Sequence, residues 1–253
     1  MGHEAQAMYA LWLREMKVFL REKPRIVSAV VTPFLLIAAI GTGFGATTQF
    51  TDPRYAQFSY EQFMFPGVLA MGVLFGTVFY GLNIVWDKRL DVLKEVLVAP
   101  VSRTTIFFGK VIGGSTQAVA QTALLLIVGL FWFHTTLVGS LIALLFAFLL
   151  SILFVSIGLF LGSFFESFEG FQLIVSFVVF PLFFLSGALY PVDNLPRWLT
   201  VLTRLNPATY AVDGLRAALL GPSAFSYALD ATVLVAVGLV FLVAGTWAFR
   251  RMT

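Results

Sequence analysis

The chain has 253 residues, of which 59% are hydrophobic and only 11% are charged, and its mean hydropathy is +0.93. Soluble domains carry roughly 25% charged residues, so this composition excludes an ordinary soluble domain and indicates a membrane protein. The formal net charge is +3 and cysteine is absent, which excludes a disulfide framework, a thiol nucleophile and a thiolate metal site.

The first predicted element is an amphipathic helix over residues 4–23. Its hydrophobic side chains at helical spacing are Met8, Leu11, Trp12, Phe19 and Leu20. Basic side chains fall mostly on another face, which is typical of a helix lying along a membrane surface. Such a helix either takes part in function or only anchors the chain. The apolar run that follows is full length, which argues against a cleaved signal peptide.

Six hydrophobic segments are each long enough to cross a bilayer, since about twenty helical residues span about 30 Å of hydrocarbon. The predicted spans are 26–46, 64–86, 106–132, 138–162, 170–189 and 229–249. With both termini in the cytoplasm, twelve of the 16 Lys and Arg residues lie inside and the other four outside. The positive-inside rule therefore predicts an all-α, multi-pass membrane protein with cytoplasmic N- and C-termini.

The loop between spans two and three, residues 87–103, is rich in charged residues, whereas the spans on either side contain few. The pattern predicts a short helix from about Asp87 to Ala99. Pro100 would end this helix, and Ser102 would cap the helix that becomes span three. This compact corner favours a contact with a protein partner in water. A solvated loop that only obeys the positive-inside rule is the alternative.

Residues 190–228 form the other long connection, which is too polar to span and too long for a simple turn. Asn206-Pro207 predicts a break between two amphipathic helices, and Gly221-Pro222 predicts the end of the second. The segment is therefore expected to be an external helical hairpin that partly re-enters the membrane. Asp213 and Arg216, three residues apart, are expected to form a solvated charge pair.

The predicted spans lack charged side chains over most of their length, and this excludes several kinds of function. Residues 62–86, 111–165, 170–192 and 231–249 contain no Asp, Glu, Lys or Arg. Carboxylate relays, coupling-ion carboxylates and catalytic aspartate pairs are therefore excluded at membrane depth. Gly109-Lys110 lacks the remainder of a phosphate-binding loop, so the chain is predicted not to hydrolyse ATP and not to be an enzyme. No His/Glu cluster has metal-ligand spacing.

The spans contain close-packing and hydrogen-bonding residues instead. Small residues four apart occur at Gly72 and Gly76 in span two and at Gly158 and Gly162 in span four. This spacing is typical of close helix contacts. Gln117 and Gln121 share one face of span three, and their amides need partners on another helix or in a wet cavity.

Two stretches, LKEVLVAPVSRTTIFFGK at 93–110 and FLSGALYPVDNLPRWLTVLTRLNPATYAVDGLR at 184–216, resemble the permease subunits of type-2 ABC exporters of the daunorubicin-resistance and multidrug branch. The likeness covers essentially the whole chain. It implies a dimer of this chain on two copies of a separate ATPase subunit. That subunit would bind ATP and Mg, so this chain would carry no cofactor. The loop 87–103 would be the coupling helix, with candidate contacts at Asp91, Lys94, Glu95, Pro100, Ser102 and Arg103.

The same resemblance implies a substrate path on the dimer axis, bordered by spans two and five. The candidate residues there are Phe75, Phe79, Asn83, Phe177, Phe180, Phe184 and Ser186. Without charges at membrane depth, such a path suits an apolar or amphipathic molecule better than an ion.

The predicted function is therefore that of a permease that exports a hydrophobic or amphipathic compound, drug-like or lipid-like, across a prokaryotic cytoplasmic membrane. Its expected partners are a second copy of the chain, two ATPase subunits, the bilayer and the substrate, with no nucleic acid. Export of a polysaccharide or lipid-linked glycan is the nearest alternative. An ATP-independent secondary transporter is a third, because an unwound helix could bind Na⁺ through carbonyl groups.

Overall fold

The computed structural model of the chain describes residues 2–46, 52–90, 101–193 and 195–252, apart from the side chain of Arg25. Within these ranges every regular element is a helix and no strand occurs. The predicted all-helical, multi-pass fold is therefore confirmed. The predicted coupling helix falls largely outside the described residues.

The helices are numbered in chain order. They are α1 (Gly2–Arg21), α2 (Lys23–Leu36), α3 (Thr42–Gly45), α4 (Tyr60–Phe79), α5 (Leu82–Arg89), α6 (Arg103–Trp132), α7 (Leu137–Phe164), α8 (Phe168–Phe184), α9 (Arg197–Leu205), α10 (Pro207–Leu220) and α11 (Tyr227–Arg251). A π-helical turn over Ile37–Gly41 joins α2 to α3. The end of the bundle at which α5, α7 and α11 finish is called the inner end, following the predicted orientation.

Five helical stretches are long and apolar enough to cross a membrane: Ile26–Gly45, Tyr60–Arg89, Arg103–Trp132, Leu137–Phe164 and Tyr227–Arg251. The sixth hydrophobic segment is α8, an apolar helix of 17 residues. At 1.5 Å per residue α8 is about 25 Å long. It ends at Phe184 because the chain turns there, with Gly187 in the left-handed region at φ +74°.

α7 is the centre of the bundle. It packs against α11, α6, α4 and α10, and its sequence is apolar around the whole circumference. Helices of this kind lie in a protein core or in a membrane, and α7 buries most of its surface while Leu141 and Leu145 remain exposed. Leu150, Leu153 and Phe154 of α7 are completely buried. The interior at membrane depth is therefore a close-packed apolar core.

The second span is interrupted where α4 meets α5, at Tyr80 and Gly81, because backbone hydrogen bonds there run three residues back instead of four; we call this interruption the bend in span two. A Cβ atom on Gly81 would overlap the carbonyl of Gly158 on α7, and one on Gly158 would overlap the carbonyl of Val78. These two glycines therefore allow the two backbones to touch, as small residues do in membrane helix pairs. The predicted close contact at Gly158 is confirmed, and its partner is the bend in span two.

Side-chain caps fix where most spans begin. Ser59 and Gln62 form a reciprocal capping box at the start of α4. Ser102 accepts a hydrogen bond from the Thr105 N–H at the start of α6, as predicted from its position after Pro100. Such caps satisfy donors that would otherwise be orphaned at a helix end.

Candidate functional site

A buried ion cluster joins three helices at the inner end of the bundle. The Lys110 ammonium lies 2.7 Å from Asp87 Oδ2 and 3.8 Å from Glu15 Oε1, and its side chain is 2% exposed. Arg14 of α1 adds a longer contact of 3.7 Å to Asp87. We call Glu15, Asp87 and Lys110 the inner clamp. It ties α1 and the end of α5 to the first third of α6.

Further contacts fasten α1 along α6. Glu4 accepts hydrogen bonds from the backbone N–H and the hydroxyl of Ser102, both at 3.2 Å, and from the hydroxyl of Thr105. The Thr105 hydroxyl is the main reason why the pKa of Glu4 lies below its usual range. Midway along α1, the Trp12 indole donates to Thr116 at 3.2 Å. The amphipathic helix thus packs on another helix as well as presenting an exposed side.

The inner clamp was not predicted from the sequence, in which Lys110 appeared only as one of the positive charges on the inner side. The signal was present, since Lys110 lies inside the predicted span 106–132 and an ionisable residue within a span needs a partner. Glu15 and Asp87 could not be chosen from sequence, because they lie far from Lys110 along the chain.

Two of the six predicted coupling residues lie in the described part of the chain. Ser102 caps α6 and also bonds to Glu4, and the Arg103 guanidinium donates to the Arg250 carbonyl at 3.2 Å. The other four lie outside the described residues; they are Asp91, Lys94, Glu95 and Pro100. Both ends of the loop are therefore held, by Asp87 on one side and by Ser102 and Arg103 on the other.

Four of the predicted substrate-path residues form one aromatic surface between α4 and α8. The Phe75 ring meets Phe180 edge-on at 5.1 Å and stacks with Phe79 at 6.4 Å, while Phe180 stacks with Phe184 at 6.5 Å. We call Phe75, Phe79, Phe180 and Phe184 the aromatic strip. Phe177, one turn from Phe180 on α8, is 79% exposed.

The remaining two substrate-path candidates do not join this surface. Ser186 is buried, donates its hydroxyl proton to the Phe183 carbonyl at 2.6 Å, and accepts from the Ala188 N–H at 3.3 Å. Asn83 is half-buried on α5, beyond the bend in span two. The aromatic strip is therefore built from phenylalanine side chains.

A cavity of about 340 Å³ opens beside the aromatic strip, between α2, α4 and α6. Phe75 and Gln121 both line it, with Gly72, Gly76 and apolar side chains of α2 making most of the wall. The Gln121 amide reaches the Ala29 carbonyl at 3.5 Å, whereas the Gln117 amide donates to the Glu15 carbonyl at 3.3 Å. The NH₂ groups of both amides thus find partners on α1 and α2, as predicted, whereas Gln117 Oε1 is buried without a hydrogen-bond partner among the described residues.

The hairpin formed by α9 and α10 differs from the sequence prediction at its charged pair. Asp213 and Arg216 are both buried, and the prediction of a solvated pair is wrong. Asp213 accepts two backbone N–H groups, from Ala224 at 2.8 Å and Phe225 at 2.9 Å. Each charge is buried because backbone groups compensate it, which spacing along one helix cannot reveal.

Arg216 joins the hairpin to the outer end of α4. Its guanidinium donates to the Gly187 carbonyl at 2.9 Å and lies 3.9 Å from the centre of the Phe63 ring. Burial lowers the pKa of Arg216 from its usual value, although an arginine remains charged. These contacts fix α10 against the turn that follows α8.

A second charged group fastens the outer loops. Arg54 lies 2.6 Å from both Asp52 and Asp193, and it donates to the Ser223 carbonyl at 3.2 Å. Hydrogen bonds from Arg54 hold the pKa of Asp52 below its usual range. One half-exposed side chain therefore connects three separate segments of the outer surface.

These helices, and the sites between them, define a multi-pass α-helical membrane protein whose described residues hold no group of acidic or histidine side chains suited to a metal ion. Residues 6–220 match the family model described as ABC-2 type transporter. The chain therefore belongs to the ABC-2 type transporter family, and the resemblance seen in the sequence is confirmed.

Several curated relatives carry transport names. The chain is 29% identical to the inner membrane transport permease YadH of Escherichia coli K12 over 222 residues, which cover 85% of this chain and 83% of that protein. It is 27% identical to the putative transport permease ycf38 of Cyanophora paradoxa, over 83% of this chain and 73% of that one. It is 28% identical to the probable multidrug ABC transporter permease YbhR of E. coli K12, over 61% of this chain and 42% of that one.

Proposed function

We propose that this chain is the membrane-spanning subunit of an ATP-driven exporter that moves a hydrophobic or amphipathic compound outward across the cytoplasmic membrane. Membership of the ABC-2 type transporter family and the names of the relatives support transport across an inner membrane. The observation that carries the substrate class is the aromatic strip with its exposed extension at Phe177.

The chemistry of the aromatic strip suits an apolar ligand. Phe180, Phe184 and Phe177 expose their rings on one side of α8, and residues 170–192 contain no charged side chain that could compensate a desolvated ion. An apolar molecule needs only apolar contact and a few polar groups for orientation. A second copy of the chain facing this surface would enclose the path between two such strips.

ATP hydrolysis is assigned to a separate subunit, because the sequence has no phosphate-binding loop. The inner clamp supports a route for the coupling. Asp87, at the start of the loop 87–103, is bound to Lys110 of α6, which also contacts Glu15 of α1. A force on this loop would therefore act on α1, α5 and α6 together, and two ATPase subunits would each engage one loop of a permease dimer.

The substrate assignment is tested with the permease reconstituted together with its ATPase in liposomes. Phe180→Ala and Phe177→Ala should change which hydrophobic compounds stimulate ATP hydrolysis, because each removes ring surface from the strip. Phe131→Ala is the matched control, since Phe131 is also highly exposed but lies at the end of α6. An unchanged compound profile in both strip variants would contradict the proposal. Stimulation by a lipid-linked glycan alone would favour the glycan exporter.

The coupling assignment is tested by co-purification of the tagged chain. Glu95→Arg, Pro100→Leu and Arg103→Glu should reduce the amount of ATPase subunit recovered, or its response to substrate, without unfolding the permease. His134→Glu, in the connection between α6 and α7, is the control. Full ATPase recovery and wild-type transport in all three variants would show that the loop only sets topology. Transport in liposomes without any ATPase would favour a secondary transporter.

A further inference from the structure

A second cavity, of about 370 Å³, lies at the inner end of the bundle, away from the aromatic strip. It is enclosed by the ends of α5, α7 and α11 and by the short connection after α7. Its walls combine charged and apolar side chains, among them Lys88, Ser163, Phe164, Glu166, Trp247 and Arg251. The volume corresponds to about a dozen water molecules, which is enough for a small polar headgroup.

The cavity lies at the level where membrane meets water. Phe164 and Trp247 are exposed near the last turns of α7 and α11, whereas basic residues end α5 and α11. Tryptophan and arginine are characteristic of this boundary, where an apolar body and a polar group are both satisfied. One side of the cavity therefore borders acyl chains and the other borders solvent.

Lys88 shapes the cavity and does not offer a free donor. Its ammonium group donates to the carbonyls of Gly162 at 3.2 Å, Ser163 at 2.6 Å and Phe165 at 3.3 Å. These carbonyls belong to the C-terminal end of α7, where the helix dipole favours a cation. Lys88 thus adds positive charge to the wall while its three hydrogens are in use.

Arg251 and Glu166 are the groups left for a ligand. The Arg251 guanidinium lies 4.2 Å from the centre of the Trp247 ring, which holds it at the cavity wall. Across residues 2–46, 52–90, 101–193 and 195–252, neither Arg251 nor Glu166 has a hydrogen bond or an ion pair with the protein. The cavity therefore presents a guanidinium and a carboxylate that have no hydrogen bond or ion pair among the described residues, together with an apolar border, and the Lys88 ammonium is near enough to Glu166 to interact with it electrostatically.

We propose that this cavity binds a membrane phospholipid whose headgroup carries both a phosphate and a protonated amine, as in phosphatidylethanolamine. The guanidinium fork of Arg251 matches the phosphate oxygens, and Glu166 accepts from the ammonium group. Phe164 and Trp247 contact the first part of the acyl chains. Phosphatidylglycerol has no ammonium group, so it would satisfy Arg251 but offer no cationic partner to Glu166.

The test is native mass spectrometry of the delipidated permease, in complex with its ATPase when the two co-purify. Dioleoylphosphatidylethanolamine, dioleoylphosphatidylglycerol and dioleoylphosphatidylcholine are titrated separately. The wild-type chain should bind the ethanolamine lipid most tightly. Arg251→Gln should weaken that binding at least about tenfold, because hydrogen bonds to charged groups contribute about 1.5–3 kcal/mol. Glu166→Gln should remove the preference over the other two lipids.

Arg250→Gln is the matched control, since it changes the same charge at the neighbouring residue, whose guanidinium contacts Thr104 instead. It should bind the ethanolamine lipid as the wild type does. Equal binding by all variants, or tighter binding of phosphatidylglycerol, would overturn the proposal. Displacement of the lipid by water-soluble O-phosphoethanolamine at an equal concentration would overturn the assignment to a membrane lipid. Gel filtration verifies that each variant is folded.

Discussion

Replacing Lys110 with methionine should destabilise the permease strongly, because it leaves two carboxylates of the inner clamp without their buried cation. At 2.7 Å and an effective dielectric constant of about 20, the attraction between Lys110 and Asp87 is about 6 kcal/mol. Desolvation of the ions offsets much of this attraction. Removing one partner of a buried pair typically costs about 3–5 kcal/mol. The lower end applies here, since Arg14 still lies 3.7 Å from Asp87.

The assay is unfolding of the purified permease in mixed micelles by increasing amounts of sodium dodecyl sulfate, followed by circular dichroism. Lys110→Met should lower the free energy of unfolding by about 3 kcal/mol. Lys17→Met, which removes an exposed lysine of α1, should lower it by less than about 0.5 kcal/mol.

A triple variant tests whether the loss of stability in Lys110→Met comes from the unpaired carboxylates or from the changed packing. Combining Lys110→Met with Glu15→Gln and Asp87→Asn removes every charge of the inner clamp, so no buried ion is left unpaired. It should regain at least half of the lost stability, as neutral replacements of buried ion groups commonly do. A loss of stability in Lys110→Met no larger than in Lys17→Met, or a triple variant less stable than the single one, would contradict the role given to the inner clamp.

Three further predictions follow from other contacts. Gly158→Ala should cost about 1–3 kcal/mol of unfolding free energy in the same assay, because the new methyl group overlaps the backbone at the bend in span two; an unchanged value would contradict that contact. Arg216→Met should cost about 2–4 kcal/mol, since it removes the donor to the Gly187 carbonyl and the cation above Phe63, and Arg216→Lys should cost less. Cysteines placed at His134 and Ser223 should react with an impermeant maleimide in intact cells, and one at Ser102 only after permeabilisation; external labelling at Ser102 would reverse the orientation.

The sequence predicted the helical class and the approximate spans because membrane helices must satisfy their backbone internally over a fixed thickness. It predicted the cap at Ser102 because capping is a local property of the chain. The bend at Tyr80 and Gly81 was not predicted, although Gly81 is a local signal for one, because the close contact that it makes is with Gly158, which is distant along the chain. The π-helical turn at Ile37–Gly41 has no signal in composition either.

The contacts of some candidate site residues could likewise be predicted from the sequence, whereas those of others could not. Phe75 and Phe180 could be assigned to neighbouring spans, and they do meet, because both helices carry phenylalanine on facing sides. Ser186 could not be excluded from the surface by sequence, because its burial depends on the turn after α8. Arg216 lies in a segment that reads as solvated, and only the arrangement of Phe63 and Gly187 around it explains its burial.

The bend in span two also has a mechanical consequence. The backbone contact between Gly81 and Gly158 divides the span into a short arm, α5 with 8 residues, and a long arm, α4 with 20 residues. At 1.5 Å per residue these arms are about 12 Å and 30 Å long. If both arms rotate together about this contact, a displacement of 1 Å at Arg89, the inner end of α5, becomes about 2.5 Å at the outer end of α4. The contact between the two glycines would thus convert a small displacement at the inner end of span two into a larger displacement at its outer end.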